Sequence, residues 1–205
     1  RDDPIRPGDW SPKDHQAHLT AWKARQARRF DSAREGIEVP AITEGDETDA
    51  INAELHATRA DWTWEAIARE ADEVSERLVQ AIEATDPEMI AATDRLLGGT
   101  FGNGAFHAIA HFGWLIEADV GIDTERVDAF LDETLALVRR SAVPRNEVAA
   151  AVYNTACHYA LRGQLNEARP LLREAFSLSP ELLEWSRQDE DLRDIRDELA
   201  ALAPT

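Results

Sequence analysis

The 205-residue chain is poor in several things at once. It has one cysteine, Cys157, one methionine, two tyrosines and only two lysines, Lys13 and Lys23. A lone thiol excludes an internal disulfide framework. No stretch approaches the roughly 20 apolar residues that a bilayer-spanning helix needs, so no membrane partner is expected. No secretory signal opens the chain, which together with the single cysteine points to a cytoplasmic protein. No initiator methionine opens it either, so a cut or processed N-terminus is expected. Basic residues are outnumbered 22 to 40, giving a net charge of −18. That argues against the electrostatic footprint of a nucleic-acid binder. The shortage of lysine beside plentiful arginine reads as the bias of a GC-rich genome, not as chemistry. From Glu35 to Arg59 no basic residue interrupts Glu38, Glu44, Asp46, Glu47, Asp49 and Glu54, a run expected to be a solvated loop.

Strand signals are also nearly missing. Alanine, glutamate, arginine and leucine recur at helical spacing between Gly and Pro punctuation, which predicts an all-α protein. "DWSPKDHQAHLTAW" opens the first helix, with Ser11 as N-cap, Pro12 at the first helical position, Asp14 at the exposed N–H groups and Trp10 stapled onto the first turn. It should run to about Ser32. Residues 35–48 read as a loop and "DAINAELHATRADW" as a short helix. "WTWEAIAREADEVSERLVQAIEAT" is a long amphipathic helix with Ile67, Val74, Leu78 and Ile82 on one stripe, ended by Asp86–Pro87. "LLGGTFGNG" lacks the Gly-Lys-Ser/Thr ending of a phosphate loop and is expected to let the chain enter the next helix closely. That helix, about Gly104 to Val120, carries "HAIAH". A further helix follows, capped by Asp123 or Thr124 and ended by Pro144.

The C-terminal third changes style. "AVYNTACHYALRGQLNEARPLLREAFSLSPEL" resembles a tetratricopeptide repeat, with Ala156, Tyr159, Ala168, Ala175 and Pro180 at its small, aromatic and closing positions. Val152, Thr155 and Leu172 depart from the usual residues, and Pro170 is tolerable only in a first turn. "PELLEWSRQDEDLRDIRDEL" resembles an end-of-array segment. Cys157 and His158 are expected to be a core thiol and a partly exposed ring.

Six histidines remain. His107 and His111, four residues apart, share a helix face, and two imidazoles at that spacing can reach one ion. Two packed core histidines would show the same spacing. A zinc protease is excluded, because Ala108 stands where the catalytic Glu should follow the first His. His18 lies about two turns into the capped helix with Trp22 at i+4, on a face that can be buried. His15, nearer the polar start, is expected to be exposed. A third nitrogen from His18 would complete the three-ligand set typical of catalytic sites with an open position.

The pattern "DWSPKDHQAHLTAW", then "INAELHATRADW", then "GGTFGNGAFHAIAHFGWL" resembles the DinB-like four-helix-bundle superfamily, closest to its ClbS/DfsB-type branch, over about residues 8–120. The first family helix should precede "GDWS", where only "RDDPIRP" stands. Either it is missing, or residues 124–140 or a second copy in a homodimer close the bundle. The organisation expected is a bundle at 1–121, a connecting helix at 122–144 and a TPR-like unit with end segment at 145–205. The resemblance implies a divalent metal, such as zinc, nickel or iron, on His18, His107 and His111. It also implies a hydrolase or thiol transferase acting on a small molecule, in detoxification or self-resistance. Trp22 and Trp114 would be pocket walls, with Asp14 and Glu117 the nearest candidate bases. The rival expectation is a non-catalytic protein that sequesters a small ligand or docks a protein partner through the TPR-like unit.

Overall fold

A computed structural model describes residues 10–41 and 46–204. Helices make up 78% of it and no strand occurs among the described residues, so the chain is all-α. Two compact units divide it, one ending at Gly104 and one beginning at Ala105.

The first unit is built around α1 (Pro12–Arg34). Ser11 closes a full capping box: its Oγ accepts from the Asp14 N–H at 3.3 Å, while Asp14 Oδ2 accepts from the Ser11 N–H at 2.9 Å. Two of the orphan donors of the first turn are thereby satisfied. α2 (Asp46–Ala57) takes in the last three residues of the expected loop; the acids Glu47 and Asp49 therefore sit on a helix, near the N-terminal end where the dipole favours negative charge. Glu44, in the same acidic run, lies outside the described residues. Trp22 Nε1 donates to Asn52 Oδ1 at 3.0 Å and ties α2 to α1.

α3 (Trp64–Glu83) buries Ile67 and Leu78 against α1, with Val74 and Ile82 half-buried on the same stripe. It stops at Glu83, before the expected proline. Asp86 instead caps α4 (Pro87–Ala92), accepting from the Glu88 N–H at 2.8 Å. The core of the unit is Ala27, Phe30, Leu78, Ala81 and Leu96. Burial of a ring such as Phe30 contributes about 1.5–3 kcal/mol.

The glycine-rich segment differs from expectation. It is helical: α5 (Asp94–Phe101) packs on α1, and a π-helical turn, Gly102–Phe106, follows it. Gly99 explains the packing. A Cβ there would stand 2.2 Å from Gln26 Oε1, and Gln26 is fully buried, donating to the Arg95 and Leu96 carbonyls and accepting from Arg29. Arg29 in turn donates to the Pro40 and Ala41 carbonyls, pinning the chain that leaves α1.

The second unit starts with α6 (His107–Glu117) and α7 (Thr124–Arg140), capped by Asp123, which accepts from the Arg126 N–H. α7 ends at Arg140, four residues before Pro144, and packs on α8 and α6. Pro144 precedes α8 (Arg145–Leu161), and three residues connect α8 to α9 (Leu165–Leu178). The two form a hairpin whose seam is small and dry: Val152, Thr155, Ala156, Ala168, Leu172 and Ala175 are all fully buried. Gly113 lets α6 approach α8, since a Cβ there would meet Leu161 Cδ1 at 2.7 Å. Pro170 falls in the second turn of α9, not the first, where its ring forgoes the bond to the Asn166 carbonyl. α10 (Glu181–Ser186) and two 3₁₀ turns, Glu190–Leu192 and Arg196–Leu202, cover α8 and α9 with Leu192 and Leu199. A bidentate Arg169–Glu198 pair ties the last turn to α9.

Candidate metal centre

His18 is placed by the cap of α1. Fixing Ser11 and Asp14 sets the helix phase, and His18 then falls on the inner face, 7% exposed. Trp10 folds back over that face. Its ring lies 4.7 Å from His18 and 5.7 Å edge-on from His15, and stacks on His56 at 6.1 Å with planes 4° apart. His15 is consequently buried at 0% exposure, which corrects the expectation of an exposed first-turn residue: the indole covers it. His56 faces Asp14 at 3.5 Å. Burial would raise the Asp14 carboxyl, but the Ser11 hydrogen bonds, with His56 and Lys13 nearby, outweigh it and hold the group below its ordinary value. A carboxylate so committed to a cap is a poor proton acceptor. The side chain of Glu117, the other candidate base, lies outside the described residues.

His107 and His111 begin α6 directly after the π turn. A π turn inserts a residue into the helical ladder, so both histidines are rotated from where an unbroken helix from Asp94 would put them. Their rings meet edge-on, 4.9 Å apart, and His111 meets Trp114 at 5.0 Å. His111 is 3% exposed and His107 half-buried. The ligand nitrogens of His18, His107 and His111 all lie within 4.8 Å of one another, a group that can hold a metal ion. Imidazoles binding one tetrahedral ion at about 2.0–2.2 Å stand about 3.3–3.6 Å apart. Three neutral nitrogens suit zinc, nickel, iron or copper rather than calcium or magnesium.

The two candidate pocket walls have distinct surroundings. Trp22 is 5% exposed and held by Asn52. Trp114 lines a cavity of about 390 Å³ and donates to both oxygens of Asp191 at 3.1 and 3.2 Å. The same cavity holds Tyr153 and Asp189, which sequence reasoning missed, and Cys157, the expected core thiol. Tyr153 O–H donates to Asp189 Oδ2 at 2.7 Å, and the Cys157 thiol reaches the same oxygen at 3.7 Å. Burial, then the nearby acids, pushes the Cys157 thiol well above its ordinary value. His158 is buried, not partly exposed, because Asp128 and Arg162 close over its Nε2. The acidic run "QDED" at 188–191, within the segment that resembles an end-of-array tail, is the signal that could have pointed to the cavity. No helix among the described residues is long and apolar enough to cross a membrane. Comparison with protein-family models, curated proteins and solved structures gives no match to this chain.

Proposed function

We propose that the chain is a divalent-metal-dependent enzyme of the DinB-like kind, a hydrolase or thiol transferase acting on a small molecule, with His18, His107 and His111 holding the ion. The observation that carries this reading is the mutual approach of the three ligand nitrogens to within 4.8 Å. Bound there, a divalent ion supplies Lewis acidity for activating water or a thiol. The chain's own residues have simpler roles. The Ser11–Asp14 box fixes His18, Trp10 excludes water from it, and the π turn sets the direction of His107 and His111. The helix pair α8–α9 is read as a single TPR-like unit, supported by the full burial of Ala156, Ala168 and Ala175 along its seam.

Cobalt(II) added to metal-free protein tests the ligand set. One equivalent should produce a visible d–d spectrum that His107→Ala abolishes. Chemistry is tested by offering the metal-loaded protein a chlorodinitrobenzene electrophile with a low-molecular-weight thiol, and a nitrophenyl ester without one. Turnover of either, lost in His107→Ala, supports the enzyme reading. Stoichiometric metal with no turnover of either would favour a protein that sequesters its ligand.

A further inference from the structure

The cavity of the second unit is lined by three carboxylates, Asp189, Glu190 and Asp191, and among its described lining residues there is no lysine or arginine. Glu190 is paired with Arg196 at 2.9 Å, whose guanidinium also reaches the Asp189 main-chain carbonyl. The Asp189 carboxylate is different. Its donors are a phenol, a thiol and a backbone amide: Tyr153 O–H at 2.7 Å, Cys157 S–H at 3.7 Å and the Asp191 N–H at 3.0 Å. All three are neutral. A carboxylate beside apolar walls, satisfied only by neutral donors, is poised for a charge-assisted bond to an incoming cation.

The walls suit the same ligand. Trp185 and Trp114 both line the cavity, and Trp185 is 67% exposed, an unusual setting for an indole unless its face is used. An independent observation comes from His158, which lines the cavity at 1% exposure. Its Nε2 faces Asp128, and its Nδ1 has no hydrogen-bond partner among the described residues. Nε2 also faces the Arg162 guanidinium at 3.2 Å, so Nδ1 is the one ring nitrogen of His158 left for a ligand to meet. The volume of about 390 Å³ falls in the small-molecule range.

We infer that this cavity binds a small organic cation, an alkylammonium or alkylguanidinium, with Asp189 taking the charged head and Trp185 stacking on it. The inference is independent of the metal centre and survives its failure. Calorimetric titration of the full chain with n-butylguanidinium, n-butylammonium, n-pentanol and a capped Ala-Arg-Ala peptide tests it. Saturable binding of a cation about tenfold tighter than pentanol is expected. Asp189→Asn should weaken that binding about tenfold and Trp185→Ala about fivefold. Trp185 is exposed, so its replacement leaves folding intact and stands alone if Asp189→Asn misfolds. Pentanol binding as tightly as the cations, no saturation by either cation, or a peptide binding tenfold tighter than both would each overturn the inference.

Discussion

Ser11 is the residue on which the candidate centre turns first. It satisfies the first turn of α1 and, through Asp14, fixes the helix that carries His18. Ser11→Ala is expected to cost about 1 kcal/mol at neutral pH, read by urea unfolding. Asp14 is held below its ordinary value when folded, so its stabilisation is present above that value and disappears as pH falls through the depressed one. The difference between Ser11→Ala and the parent should therefore shrink in acid below pH about 4. His158 gives a second titration. Burial, countered by Asp128, lowers its folded value below 6.5, so the folded state prefers the neutral ring. Stability from that site is present above 6.5 and is lost as pH falls through the lowered folded value. His158→Gln should flatten the stability profile between pH about 7 and 5, measured by thermal unfolding, and an unchanged slope would remove His158 from that role.

At the scale of elements, Gly99 and Gly113 set how closely helices approach. Gly99→Ala must displace Gln26, which is fully buried and bonded on both sides, so a loss of about 1–3 kcal/mol is expected in urea unfolding. An equally stable variant would show that the Gln26 network yields. Much of this level was legible in the sequence. The cap at Ser11, the stripe Ile67–Leu78 and the cap at Asp123 follow from local chemistry and appear where expected. What was not legible depends on partners far along the chain. Glycines in "LLGGTFGNG" signal a break by propensity, yet Gly98 and Gly99 lie within α5, and Gly99 stands where Gln26 on α1 leaves no room for a Cβ. His15 and His158 look polar and exposed until Trp10 and Asp128 are placed over them. The Asp189 cluster joins residues 36 apart in sequence, so no spacing rule finds it.

For the whole molecule, the all-α class and the absence of a membrane-spanning helix among the described residues agree with composition and periodicity. The three histidines are 89 and 93 residues apart along the chain, counted from His18 to His107 and His111, and their ligand nitrogens lie within 4.8 Å of one another. A metal on them would bind the folded state alone and so stabilise it, by about 2.7 kcal/mol at a hundredfold excess of free ion over Kd. The most direct measurement is elemental analysis of the purified full chain after exposure to zinc, nickel and iron, repeated on His111→Ala. The account predicts close to one equivalent of a single divalent metal in the parent and its loss in His111→Ala, with both proteins equally helical. A parent chain that holds no stoichiometric metal, or a variant that retains it, would contradict the account.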